Sequence, residues 1–324
     1  MRIAQAYARA NIQDHWDAIV IGSGVGGLTT SALLARYAGQ RVLVLEKHFQ
    51  PGGFTHVFRR PGWEWDVGVH YIGQVHSPQA TVRRLFDLLS QGRLQWSPMP
   101  DVYDRIQIAN RSYQLPSGLQ RLRQQLLDYF PREGRALDRY FAAVQAVNRW
   151  IYPYMAERLL PGPAWLGAPL RWPLLRWARC TTAEVLQALT ENPELRAVLT
   201  GQWGGYGRPP GQSSFVAHAL VASHYFEGAG YPVGGSSQIA ASILPTIEAS
   251  GGCLLIQAEV QSIVVEKGRA VGVLMADGRC LRSPFIISNA GAANTFGHLL
   301  PPDLPQSQAV QRQLASIPPS MGHL

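Results

Sequence analysis

Three observations predict an α/β chain built in two parts. A strand-length apolar run, Asp17–Ile21, meets the turn Gly22-Ser23-Gly24-Val25-Gly26-Gly27, then a helical stretch, Leu28–Tyr37, and a second apolar run, Arg41–Leu45, closed by Glu46. From about residue 78 to 225 the apolar spacing is mostly helical. From Gln238 the chain returns to a helix and then to strands separated by the turn pairs Lys267-Gly268 and Asp277-Gly278. Together these describe a Rossmann-like dinucleotide-binding domain with a mixed sheet and a β-meander, into which a mainly helical α+β lobe is inserted.

The first strand–turn–helix–strand unit carries the chemistry. Gly22 permits the tight turn out of the strand, Gly24 lets the backbone approach a pyrophosphate, and Gly27 lets the helix pack close to the sheet. The helix start offers unpaired N–H groups and a positive dipole end to phosphates, and Gly39 is placed to end the helix. Glu46 follows Gly27 by 19 residues, where a carboxylate can accept hydrogen bonds from an adenosine ribose. The expected binding residues are therefore Gly22, Ser23, Gly24, Gly26, Gly27, Glu46 and Lys47. A second glycine pair, Gly52-Gly53, comes soon after the acid and lets another backbone segment close over a long cofactor, which points to tightly bound, non-covalent FAD. A glutamate rather than an arginine at position 46 argues against a 2′-phosphate and so against NADP.

Composition narrows the class. A chain of 324 residues that is 46% hydrophobic and 15% charged can bury a large core and is not globally disordered. The net charge of +8 is carried by arginine, since Lys47 and Lys267 are the only lysines, and no recognition motif supports a nucleic-acid partner. Cys180, Cys253 and Cys280 form no CxxC, so neither a disulfide framework nor a metal site is expected, and a reducing, cytoplasmic setting fits. No apolar signal region precedes Trp16, and no apolar run is long enough to span a bilayer.

The expected organisation is a frayed leader over 1–15, the first part of the nucleotide domain over 16–75, a substrate or membrane-facing lobe over 76–225, the second nucleotide part over 226–300, and the start of a further lobe over 301–324. Within the inserted lobe, Asp101–Leu115 reads as a short hairpin between helices over 80–89, 119–130 and 137–147. Residues 150–179 set Trp150, Trp165, Trp172 and Trp177 beside arginines and prolines. Two readings stand there: peripheral contact with a membrane interface, or rings packed inside the lobe with the arginines reaching outward. In Asp66–Gly73 two glycines bracket His70 and Tyr71, as a segment running close to a flat ring would require; a turn with a satisfied histidine is the plainer reading.

These residues resemble a family, the FAD-dependent carotenoid desaturases, carotenoid isomerases and retinol saturases. The likeness is carried by Asp17–Leu28, Glu46-Lys47-His48 with Pro51-Gly52-Gly53, Gly68–Gly73, Tyr231–Ala240 and Ile287–Gly291, and runs from about Trp16 onward. It implies that Gly22, Gly24, Gly27 and Glu46 hold the adenosine diphosphate half of FAD, that Gly52 and Gly53 lie along the cofactor, and that Val260 offers its backbone to the adenine. It implies that His70 and Tyr71 lie near the flavin ring, which makes His70 the one catalytic candidate. Substrates of the family are long apolar polyenes, and the expected reaction is desaturation, saturation or cis–trans isomerisation of their double bonds. Family members are considerably longer, so the likeness covers an N-terminal portion and a missing C-terminal portion is an expected partner. The alternatives are a truncated, non-catalytic FAD-binding fragment and an amine-oxidase-like flavoprotein.

Overall fold

Two four-residue runs, Ala18–Ile21 and Val42–Leu45, are buried at every position. A strand with no exposed residue must be covered on both faces, which is the environment of a parallel sheet. The structure, a computed structural model, describes residues 4–69, 71–157 and 167–317. They fall into two compact units, one formed by 4–69, 77–97 and 231–317 and the other by 71–76, 98–157 and 167–230.

The first unit holds β1 (Gln5–Ala6), β2 (Ala18–Ile21), α1 (Val25–Ala38), β3 (Val42–Leu45), β4 (Val57–Arg60), β5 (Trp63–Asp66), α2 (Thr81–Ser90), α3 (Gln238–Glu248), β6 (Cys253–Ile256), β7 (Val260–Glu266), β8 (Arg269–Met275), β9 (Cys280–Arg282), β10 (Ile286–Ser288) and α4 (Pro305–Ala315). Five strands make one sheet in the order β1-β6-β3-β2-β10. Each pairing is parallel, with Ile19 opposite Leu43 and Ile287 opposite Val20. Alternate residues serve opposite faces. Ile19, Ile21, Leu43, Leu45 and Leu255 form one core with Val260, Ile263, Val273, Met275 and Leu281 of the meander β7-β8-β9. Helices α1, α2 and α3 pack together in the same unit.

The α/β Rossmann-like class holds, with one correction. The central sheet is not mixed: among the described residues it is wholly parallel, and the antiparallel meander is a separate three-stranded sheet lying in its core. The physical reason is that the meander uses its apolar side to cover a face rather than its edge to extend the ladder. Several segments depart from the expected boundaries: residues 71–75 and 226–230 belong to the second unit and 301–317 to the first. Gln5 and Ala6, expected to fray, supply the edge strand β1 beside Leu255 and Ile256. Helix α2, expected in the inserted lobe, belongs to the first unit because Phe86 and Leu89 are buried and the Leu89 carbonyl accepts the Thr246 hydroxyl at 2.7 Å.

The second unit is mainly helical. A hairpin, Val102–Ile108 with Arg111–Pro116, accompanies helices over Leu119–Tyr129, Gly134–Glu157, Ala168–Ala178, Thr182–Leu189, Pro193–Leu199 and Phe215–His224. Leu137, Tyr140, Phe141, Val144 and Val147 repeat at helical spacing and are buried with Leu122, Leu126, Leu195 and Phe215. Thr181 caps one helix by a reciprocal pair: its hydroxyl accepts the Glu184 N–H at 3.2 Å and the Glu184 carboxylate accepts the Thr181 N–H at 2.7 Å. Of the four tryptophans in 150–179, Trp150 and Trp177 pack against this core and Trp172 is exposed. Trp165 lies outside the described residues. No described helix is long and apolar enough to cross a membrane.

Candidate functional site

The site is built where β2 gives way to α1. Gly22 leaves the strand at φ +96°, a conformation that favours glycine. Its N–H donates to the Leu45 carbonyl at 2.8 Å, so the turn starts locked to β3. A Cβ on Gly27 would lie 2.1 Å from the Gly22 carbonyl oxygen; only glycine lets α1 start this close to the strand it follows. Gly24 stands at the head of α1, where no side chain caps the helix, so the first N–H groups are left for a ligand.

The second glycine pair docks on the first. Gly24 and Gly52 form a parallel bridge. Gly53, at φ +57°, passes so close that a Cβ on it would sit 2.9 Å from the Gly24 Cα. Glu46 ties the assembly together. Its Oε2 accepts the Ser23 N–H at 2.9 Å and the Ser23 hydroxyl at 2.5 Å, and its Oε1 accepts the His48 N–H at 2.8 Å. The Ser23 Oγ in turn accepts the Gly52 N–H at 3.1 Å. Lys47 forms a 2.8 Å ion pair with Glu259, both side chains being mostly exposed.

These residues border a cavity of about 980 Å³, the upper end of ordinary small-molecule sites. Gly22, Gly24, Glu46, Lys47, Gly52, Gly53 and Val260 line it. Ser23 and Gly27 stand behind that wall and shape it: Ser23 is fully buried and Gly27 gives the helix its close approach, while Gly26 is exposed and faces the Asn289 carboxamide. Further wall comes from Gln261 of the meander with Glu259 and Ala276 at its strand ends, and from Asn289, Asn294 and His298 beyond β10. Asn289, Asn294 and His298 had no role in the sequence reading. The signal for Asn289 was its place in the Ile287–Gly291 motif; Asn294 and His298 sit in short helical turns, Ala292–Asn294 and Thr295–Leu299, too brief to show a periodic pattern.

The cavity fits a dinucleotide. It offers an uncapped helix start for a diphosphate, glycines where Cβ atoms would intrude, and a carboxylate at the end of β3. His70 lies outside the described residues. Tyr71 lies in the helical unit, its ring edge-on to Tyr225 at 5.0 Å and its phenol raised in pKa by burial and by Asp104.

The Tyr231–Ser237 motif closes a second constellation in the first unit. Asp66, at the end of β5, accepts the Tyr231 hydroxyl on one oxygen and the Ser236 hydroxyl at 2.5 Å and N–H at 3.3 Å on the other. Burial and the Asp66 carboxylate push the Tyr231 phenol up to about 12. This clamp pins the β4–β5 hairpin to the Gly234-Gly235 turn, whose two residues have φ of +88° and +93°.

Comparison with known proteins adds the following. A model of the NAD(P)-binding Rossmann-like domain matches residues 20–89. The all-trans-retinol 13,14-reductase of Danio rerio is 37% identical over 331 residues, covering 97% of this chain and 54% of that protein. The chloroplastic prolycopene isomerase 1 of an Oncidium hybrid cultivar is 28% identical over 311 residues, covering 91% of this chain and 52% of that protein. Among solved structures, cyclohexylamine oxidase from Brevibacterium oxydans superposes with a TM-score of 0.61 at 21% identity, over 91% of this chain and 63% of that one, a likeness of fold. The chain spans about half the length of the curated relatives it matches.

Proposed function

We propose, from homology with the retinol reductases and prolycopene isomerases, which fits the carotenoid desaturase, carotenoid isomerase and retinol saturase family, that the chain is the cofactor-binding part of an FAD-dependent enzyme acting on C–C double bonds of an apolar polyene. The observation that carries the cofactor is the docking of Gly52-Gly53 on the Gly22–Gly27 turn. A dinucleotide fold alone needs only the first turn; the second glycine segment lengthens the cradle to suit FAD. Bound there, FAD supplies the two-electron chemistry by which a carotenoid or retinoid double bond is introduced, saturated or isomerised.

In this reading the chain's own residues bind and orient. The start of α1 holds the diphosphate, and Glu46 meets the adenosine ribose beside Ser23. Val260 and Lys47 border the adenosine end. His70 remains the candidate for contact with the reacting ring. The helical unit serves as the substrate lobe, its apolar core suited to a dry path for a polyene, and the exposed Trp172 within 150–179 is the point of peripheral membrane contact. The rival reading is a non-catalytic, FAD-binding portion that needs a further portion for turnover; it follows from the half-length match. The amine-oxidase-like alternative rests on fold alone.

The test is an absorbance spectrum of the purified 324-residue chain, reconstituted with FAD and freed of unbound cofactor. Flavin bands that travel with the protein are expected. Their absence, with the chain folded by circular dichroism, would sink the flavin assignment. Conversion of a retinoid or carotenoid by the loaded chain alone would refute the non-catalytic reading.

A further inference from the structure

The Ile287–Gly291 motif stands beside the glycine turn. We propose that Asn289 is a diphosphate ligand of the dinucleotide, donating from Nδ2 to the phosphate oxygens in front of Gly24 and Gly26. This rests on the dinucleotide reading of the cavity.

Three observations carry it. The first is register. β10 runs parallel to β2 with Ser288 opposite Ile21, so residue 289 leaves the sheet beside Gly22, and its N–H donates to the Ile21 carbonyl at 2.7 Å. The position of its backbone is thus fixed by the sheet rather than by a loop.

The second is where the side chain stands. Its Nδ2 lies 3.0 Å from the point a Cβ on Gly24 would occupy, and its Oδ1 lies 2.8 Å from the corresponding point on Gly26. The first of these is the space that the fingerprint glycine keeps clear for a pyrophosphate. A carboxamide there must either hydrogen-bond the phosphate or obstruct it, and a small rotation of an exposed side chain allows the first.

The third is availability. Asn289 is exposed and lines the cavity, and its carboxamide has no hydrogen-bond partner among the described residues. Its neighbours are engaged: Asn294 donates to the Ala290 carbonyl at 2.8 Å, and the Ser288 and Thr295 hydroxyls pair at 2.7 Å. An asparagine suits the task because its amide donates without adding charge, while an aspartate of the same shape would oppose an anion with another.

The experiment is calorimetric binding of ADP and of adenosine to the full chain and to N289A and N289D, with FAD retention measured in parallel. A hydrogen bond to a charged group predicts that N289D weakens ADP by about tenfold or more and N289A by a smaller factor, with adenosine unchanged within about twofold. Equal ADP affinities in all three proteins would overturn the proposal. So would parallel losses of ADP and adenosine, because a diphosphate ligand has no contact with adenosine. If the unaltered chain binds ADP but retains no FAD, the flavin reading fails while the Asn289 comparison still decides this one. If it binds neither, both fail.

Discussion

Replacing Gly27 by alanine would set a methyl carbon 2.1 Å from the Gly22 carbonyl oxygen. Carbon and oxygen do not pack closer than about 3 Å, so α1 and the turn must part by about 1 Å. Overpacking of this kind costs about 1–3 kcal/mol, a large share of the roughly 5–15 kcal/mol that holds a domain together. Gly26→Ala is the matched control. Its Cβ would meet only the carboxamide of Asn289, an exposed side chain that can move, and alanine gains up to about 1 kcal/mol in helix propensity over glycine. The assay is chemical denaturation of both variants followed by circular dichroism, with ADP binding alongside. G27A is expected to lose stability and most of its ADP affinity, and G26A to keep its stability. A G27A protein as stable as the parent, or a G26A protein damaged as much as G27A, would refute the account of how the turn is packed.

Two further outcomes follow from the geometry. Asp66→Asn removes acceptor capacity facing three donors from Tyr231 and Ser236, and is expected to cost about 1–3 kcal/mol of stability and so lower the denaturation midpoint; an unchanged midpoint would show that the clamp contributes nothing. His218 is buried in the helical unit with a tyrosine hydroxyl against each ring nitrogen, Tyr140 at 3.0 Å and Tyr206 at 3.2 Å, and burial lowers its pKa to about 4. The unfolded chain, with a histidine near its ordinary value, therefore binds more protons between about pH 6.5 and 4. The neutral ring's contribution is fully present above that window and is lost as pH falls through it, up to about 3 kcal/mol. His218→Gln should flatten the stability–pH curve there, and a slope identical to the parent's would rule this origin out.

Much of the architecture was legible because it is local. The buried strands, a helix ended by Gly39 in the left-handed region and the Asp101–Leu115 hairpin all follow from residues a few positions apart, where spacing alone sets which side chains and backbone groups can meet. The glycine fingerprint was legible for the same reason, since Gly22 and Gly27 are five positions apart and their contact is a property of one turn.

What the tertiary structure decided lies between residues far apart in the chain. No spacing rule pairs Gln5 with Leu255, sets the meander under the parallel sheet instead of at its edge, or brings α2 into the first unit. The same holds at the site. Sequence placed Glu46 as an acid near a ribose; only the fold shows it already accepting three hydrogen bonds from Ser23 and His48. Asn289 is 265 residues after Gly24, yet the register of β10 on β2 brings its amide into the space that glycine leaves open. Local periodicity determines which segments become strands and helices, and the burial of their apolar faces against one another determines which distant side chains share a cavity.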